Sequence, residues 1–312
     1  MLLKRSVKVR VPASTSNLGP GFDTVGMALR IYNTIFVEPS SSGLTITASG
    51  EGSDELCSAE SSMVLKAMRA AFDQWDQSFK DHEQIHIHIE NEVPISRGLG
   101  GSSTAIIGGV LLAAALCGKS PTQREILEIA LPLEKGHPDN ITPALVGGLT
   151  VSKVEGKRVH FIKIPTPPKL HCVVSIPRLR LSTQEARKLL PQKVPLKDAV
   201  FNLQSLAFLL ASLFTNSPED LSIAMQDRLH QPYRTALFPQ MQDIFSSAME
   251  AGADGVALSG SGSSVIAFVS EAGRLKTVSS MMQKTLEEKG ISGKTVVTDI
   301  DQEGARVLTF SP

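Results

Sequence analysis

Residues Pro94, Ile95, Ser96, Arg97, Gly98, Leu99, Gly100, Gly101, Ser102, Ser103 and Thr104 form a glycine-rich run. It follows the alternating segment Ile85-His86-Ile87-His88-Ile89 and precedes an apolar block from Ala105 to Leu116. That order reads as strand, loop, helix. Glycines let a backbone approach an anion closely, and a helix N-terminus offers unpaired N–H groups and the positive end of a dipole. The chemistry is phosphate binding. Two other phosphate-loop readings fail. Gly118-Lys119-Ser120 imitates the end of a Walker loop, but Ala113 stands where that motif needs Gly, and the run closes an apolar helix instead of opening one. The dinucleotide fingerprint fails because Ser103 replaces its third Gly and no βαβ unit opens the chain.

The elements that must position this loop can be read from the pattern. Val7–Val11, Thr34–Glu38, Leu44–Ala48 and Leu149–Val154 predict strands, and Pro12–Asp23, rich in Ser, Asn and Gly, predicts a loop. Apolar spacing predicts a helix over Ser62–Trp75. Ser120-Pro121-Thr122-Gln123 predicts a helix start capped by Ser120, with the helix running toward Glu134 and bending near Pro132. Ile164-Pro165-Thr166-Pro167-Pro168 is a stiff connector. It predicts domains over 1–164 and 165–312. Beyond it, strands are expected over Leu170–Ile176, Gly255–Leu258, Val265–Val269 and Lys294–Thr298. Helices are expected over Ser182–Leu190, Lys197–Phe214 and Arg274–Lys289, with two more near Pro218 and Pro239. The class is α+β in two layered domains.

The chain has 312 residues with 31 basic and 31 acidic side chains, so no basic excess points to nucleic acid. The cysteines, Cys57, Cys117 and Cys172, are three and widely spaced. They read as small buried apolar residues, not as a disulfide framework. Lys4, Arg5, Lys8 and Arg10 interrupt any secretory apolar core, and no run is expected to reach the ~20 apolar residues of a membrane span. A cytoplasmic chain without a membrane partner is the expectation.

Four segments fall in a familiar order: Val11-Pro12-Ala13 to Asp23, the loop from Pro94 to Ser103, Glu134 to Asn140, and Gly255 to Ser264. Over most of its length the chain resembles the GHMP kinases, named for galactose, homoserine, mevalonate and phosphomevalonate kinases. The resemblance implies an N-terminal S5-domain-2-like ATP-binding domain and a C-terminal ferredoxin-like α/β domain. It implies ATP and Mg²⁺, with the run from Pro94 to Thr104 on the nucleotide, Ser62 near its base, and Ser102 with Glu134 on the metal. Two positions depart from the family pattern. Gly101 replaces the first Ser of Gly-Leu-Gly-Ser-Ser, and Ser62-Met63 replaces an Asn-Leu pair.

Three segments resemble the homoserine-kinase members in particular: Asn17-Leu18-Gly19-Pro20-Gly21-Phe22-Asp23, Gly136-His137-Pro138-Asp139-Asn140, and Leu181-Ser182-Thr183-Gln184-Glu185-Ala186-Arg187. That implies transfer of the γ-phosphate of ATP to the hydroxyl of L-homoserine, a step toward threonine, by a homodimer. A zwitterionic acceptor needs three kinds of partner. Asp23, Asn17 and Asp139 suit its ammonium. Arg187, with Arg234 nearby, offers its carboxylate a planar fork. Asn140 or His137 suits its hydroxyl, and Thr183 joins the same site. Asp23, Asn140 and Arg234 are the catalytic candidates, with Asp23 as a proton acceptor. The acid–lysine pair of mevalonate-type members has no obvious equivalent. A loose phosphoryl-transfer transition state tolerates that absence, because positioning and charge do most of the work.

Overall fold

The computed structural model describes residues 6–58, 62–82 and 84–309. The chain opens on a long antiparallel hairpin, β1 (Val7–Asn17) and β2 (Gly21–Pro39). β3 (Thr45–Gly50) runs parallel to β4 (Ile85–Asn91), and β4 pairs antiparallel with β2. The short α1 (Ser53–Leu56) and α2 (Met63–Gln74) lie between β3 and β4 in the chain. Then come α3 (Gly101–Leu116), α4 (Gln123–Leu133), α5 (Pro138–Val146), β5 (Leu149–Glu155) and β6 (Arg158–Ile164). β5 pairs with β2 at Val25–Met27 and with β6.

The second half holds β7 (His171–Pro177), α6 (Thr183–Lys188), α7 (Leu196–Thr215), α8 (Leu221–Ala224), α9 (Gln231–Arg234), α10 (Met241–Glu250), β8 (Gly255–Leu258), β9 (Val265–Val269), α11 (Leu275–Glu288) and β10 (Gly293–Asp299). Its four strands form an antiparallel sheet in the order β10-β7-β9-β8. The chain then recrosses, and β11 (Arg306–Thr309) pairs with β1, completing a seven-stranded first sheet.

Three packed clusters hold these layers. Val9, Val11, Ile35 and Ile87 of the first sheet meet Ile106 and Val110 of α3 and Val64 and Met68 of α2. α3 is apolar nearly all round, so it is buried nearly all round. A second cluster joins the two halves: Met27 and Leu29 pack with Val174, Ile266 and Phe268, and with Leu209 and Leu213 of α7. Full burial of each such side chain is worth roughly 1.5–3 kcal/mol, so this seam fixes one half against the other. Ile244, Val278, Met282 and Leu286 form the third, over the outer face of the second sheet.

The α+β expectation holds, with local corrections. Pro12–Asp23 is not a loop. β1 runs on to Asn17 and β2 starts at Gly21, leaving a tight turn at Leu18-Gly19-Pro20. Ser14, Thr15, Ser16 and Asn17 look like loop residues, yet all are buried, because hydroxyl and amide partners reach them from distant parts of the chain. Thr122, not Ser120, caps α4. Its hydroxyl accepts from Glu125 N–H, and the Glu125 carboxylate accepts from Thr122 N–H. Pro132 falls in the last turn of α4, just before the cap at Glu134. α5, β6 and β11 were not anticipated. Cys172 is buried as expected, but Cys57 is exposed, its thiol donating to Ser53 O. Leu196–Thr215 is, by length and composition, apolar enough to cross a membrane, against the expectation that no run comes close. Its charges, Lys197 and Asp198, are confined to the first turn, and Asn202, Gln204 and Ser205 interrupt the apolar run without lowering its average much.

Candidate active site

The glycine-rich loop lies where β4 hands over to α3. Gly100 holds φ 69° and is the residue from which α3 springs. Gly98 holds φ 75°, and a Cβ there would lie 2.0 Å from Ser259 O. No other residue type fits that backbone and that spacing. The second glycine-rich segment, expected from Gly255–Ser264, backs directly onto the first. Ser259 Oγ donates to Gly98 O at 2.6 Å, and Ser264 N–H donates to Arg97 O at 3.1 Å. Leu181 N–H donates to Ser96 O, and Arg97 sends its own side chain to the carbonyls of Ile95 and Pro177. Arg97 is therefore committed to shaping the loop. Ser62 caps α2, its hydroxyl accepting from Leu65 N–H at 3.3 Å.

At the first turn of α3 sits an oxygen cluster. Ser102 Oγ donates to both oxygens of Glu134, at 2.8 and 3.1 Å, and Ser103 Oγ donates to one at 3.0 Å. Burial pushes the Glu134 carboxyl above the usual carboxylate range, against those hydrogen bonds. No ion pair among the described residues neutralises it. A half-buried carboxylate whose partners are hydroxyls and which has no ion-pair partner among the described residues is a good hard-cation ligand. The expected metal pair, Ser102 and Glu134, thus fits a magnesium ion by chemistry as well as by position.

The residues expected to meet the acceptor converge on the hairpin turn. Asn17 donates through Nδ2 to Gly260 O, and its Oδ1 accepts from Asp23 N–H. Asn140 accepts from Ser14 Oγ at 2.9 Å and donates to Ser16 Oγ at 3.0 Å. A Cβ on Gly100 would meet that same Ser14 hydroxyl at 2.1 Å and Asn140 Oδ1 at 3.3 Å. Asn140 therefore borders the glycine-rich loop. Asp139 is buried beside it, and burial together with the nearby Asp23 charge pushes its carboxyl up to about 6.

Asp23 and Arg187, assigned to opposite ends of the acceptor, grip each other. Arg187 donates bidentately, with Nη1 at 3.0 Å from Oδ2, and His137 Nδ1 lies 3.5 Å from the same oxygen. Burial raises the Asp23 carboxyl, but hydrogen bonds from His137 and Arg187 outweigh it and hold the group at about 2. A carboxylate held there has little affinity for a proton, which weighs against Asp23 as proton acceptor. Thr183, at the start of α6, meets Ser261 Oγ at 3.2 Å, at the exposed rim.

Arg234 is 2% exposed. Its Nη1 donates to Gly260 O at 2.7 Å and to His230 Nδ1 at 3.0 Å. Burial and the Arg187 charge draw it down to about 10, still cationic near neutrality. The guanidiniums of Arg187 and Arg234 lie 5.3 and 5.5 Å from the Phe22 ring. Each keeps a buried Nε–H without an acceptor.

Two residues of this site gave no sequence signal. His230 stacks on Phe22 and is wholly buried. Burial lowers its imidazole to about 4, so it is neutral. Nδ1 is then free to accept from Arg234, while Nε2–H donates to Gly19 O at 2.7 Å. Asp227 accepts from the N–H groups of Leu229, His230 and Gln231 and from Asn202 Nδ2. It builds the turn that presents His230 and Arg234. A lone buried His and an Asp before a helix are common, and only the contact with Arg234 marks them. A separate cleft of about 360 Å³ lies beside this turn, lined in part by Phe201, Met225, Arg228 and Phe245. Of the motif segments singled out from sequence, only Gly255–Ser264 reaches it, through Val256.

The chain is similar to known proteins over most of its length. Residues 62–148 match the GHMP kinases N terminal domain, and residues 209–288 match the GHMP kinases C terminal. The chain is 39% identical over 299 residues to a homoserine kinase of Carboxydothermus hydrogenoformans, covering 96% of each protein. It is 43% identical over 267 residues to that of Caldicellulosiruptor bescii, covering 85% of each. A crystal structure of homoserine kinase from Cytophaga hutchinsonii superposes with a TM-score of 0.87 at 27% identity, covering 99% of both chains.

Proposed function

The chain belongs to the GHMP kinases, and from that premise we propose how its residues carry the γ-phosphoryl group of ATP to the hydroxyl of L-homoserine, giving O-phospho-L-homoserine for threonine synthesis. The observation that carries the reading is a juxtaposition. Asn140 touches Ser14 and Ser16 beside the phosphate loop, while two guanidiniums with free Nε–H groups flank Phe22 on the acceptor side. A buried donor without an acceptor costs about 1–3 kcal/mol, so a site carrying two of them is built for an incoming anion.

In this reading the N–H groups from Gly98 to Ser103 hold the triphosphate at the N-terminus of α3. Ser102 and Glu134 would hold Mg²⁺, which when bound would neutralise charge on the phosphates. Arg234 and Arg187 take the acceptor carboxylate, and Asp23 and Asp139 face its ammonium. Arg187 gives up part of its pairing with Asp23 as the zwitterion enters between them. Asn140 and His137 orient the hydroxyl. Asn17 fixes the turn, Thr183 closes the rim, and Ser62 borders the base. Transfer then rests on orientation and charge stabilisation, with no strong base. Residues 1–164 form the nucleotide-binding domain and 165–312 the second, which lends β11 back to the first sheet. A cytoplasmic homodimer completes the proposal.

An assay coupled to ADP release, with Mg-ATP and a panel of alcohols, tests the reading. Homoserine should turn over, while analogues lacking the ammonium or the carboxylate should fail. Turnover of mevalonate or a sugar without turnover of homoserine would overturn it.

A further inference from the structure

A guanidinium donates hydrogen bonds and accepts none. Arg234 spends both hydrogens of Nη1 inside the protein, one on Gly260 O at 2.7 Å and one on His230 Nδ1 at 3.0 Å. Nη2 makes no hydrogen bond among the described residues, and the buried Nε–H has no acceptor. The edge left open is Nε–H beside Nη2–H, a fork that fits a carboxylate bidentately. Which edge stays open is decided by what holds Nη1.

His230 can hold it in one state only. The residue immediately precedes α9 and is wholly buried, its ring stacked on Phe22 with centroids 5.2 Å apart. Nε2 faces Gly19 O at 2.7 Å, and a carbonyl only accepts, so the ring proton sits on Nε2. Nδ1 of the neutral ring is then a bare lone pair, the partner that a guanidinium N–H requires. A proton on Nδ1 would set N–H against N–H, and burial keeps the ring neutral. Asp227 fixes the backbone around it by accepting from the N–H groups of Leu229, His230 and Gln231.

We propose that His230 is a positioning residue for acceptor recognition: through the lone pair on Nδ1 it pins Nη1 of Arg234, so that the Nε–Nη2 edge meets the acceptor carboxylate. This role rests on Arg234 taking the carboxylate of homoserine, and His230 acts only through Arg234. The rival role is structural, with His230 holding the hairpin turn through Gly19 O. The two bonds leave from different ring nitrogens, so each can be cut alone. Asparagine sets Oδ1 where the imidazole has Nδ1 and keeps the acceptor for Arg234. Glutamine sets Nε2 where the imidazole has Nε2, keeps the donor for Gly19 and offers nothing at the Nδ1 position.

Steady-state kinetics with Mg-ATP and homoserine separate the roles. His230→Gln should raise the homoserine KM at least about tenfold with a much smaller fall in kcat, because the carboxylate contact is made equally to substrate and transition state. His230→Asn should recover most of that loss, and the KM for ATP should stay within about twofold in both variants. The proposal falls if the order reverses, with Asn worse than Gln, since the turn would then be what His230 serves. It also falls if the two variants lose equally, or if the ATP KM rises in parallel. Should thermal unfolding show that the Gln variant does not fold, the Asn variant decides alone, and a rise of about tenfold or more in its homoserine KM overturns the proposal. Arg234→Lys keeps the charge but removes the fork. A homoserine KM that it leaves unmoved brings down both the acceptor reading and the role of His230. A KM that it raises, with the two His230 variants indistinguishable, brings down the role of His230 alone.

Discussion

Replacing Asp23 with Asn tests whether the Asp23–Arg187–His137 cluster is a preformed electrostatic clamp. Its carboxyl is held at about 2 against an ordinary 3.8. At 1.36 kcal/mol per pKa unit, that difference is worth roughly 2 kcal/mol of folding stability. The side chain is 28% exposed, so solvent screening removes only part of it. A depressed folded-state value means the stabilisation is complete above pH 3.8 and is lost as pH falls through about 2. Urea unfolding of wild type and Asp23→Asn should therefore differ by ~2 kcal/mol at neutral pH, and the gap should shrink toward zero in acid. Two outcomes refute the reasoning: equal stability at neutral pH, or a gap undiminished in acid. Kinetics supply an independent check. In the proposed site the variant keeps the glycine-rich loop but loses the carboxylate assigned to the acceptor ammonium. The homoserine KM should rise more than tenfold, the order of one lost charged contact, while the KM for ATP stays within about twofold.

Four further outcomes are expected. Glu134→Gln removes the half-buried carboxylate from the Ser102–Ser103 cluster and should lower Mg²⁺-dependent turnover well over tenfold, about 1.4 kcal/mol or more; near-normal rates at low Mg²⁺ would remove it from the proposed metal site. Gly98→Ala places a Cβ 2.0 Å from Ser259 O and should cost several kcal/mol in thermal unfolding, of order 2–4, together with nucleotide binding. Gly101→Ser meets nothing closer than 3.8 Å and should fold with an unchanged midpoint. Asp227→Asn should loosen the turn that presents Arg234 and raise the homoserine KM with little change for ATP; equal changes for both would make Asp227 merely structural.

The local fold of the proposed phosphate loop was legible in the sequence because its signals are local. Strand, glycine turn and helix start lie within about twenty consecutive residues, and Gly98 and Gly100 each satisfy a backbone need that no other residue meets. Ser102 and Glu134 needed the resemblance as well, since two oxygens 32 residues apart say nothing alone. On the acceptor side the members were named from motifs, but their pairing was not readable. Asp23 and Arg187 are 164 positions apart, and nothing in either segment says that they bind each other before any substrate does.

The misread strand carries the larger lesson. Ser14, Thr15, Ser16 and Asn17 have the composition of a loop, and a burial pattern cannot be inferred for polar residues whose partners are unknown. Those partners are Asn140, Ser259 and Gly260, each more than a hundred residues away. Thr15 bonds Ser259, which bonds Gly98, while Ser16 bonds Asn140, and Ser14 bonds Asn140 beside Gly100. One strand thus ties the first glycine-rich loop, the second glycine-rich loop and Asn140 into a single network. Each hydroxyl is tolerable inside only because every other element is in place. That is why the segment reads as loop in isolation and folds as strand, and why a single hydroxyl lost from β1 should disturb both substrates at once.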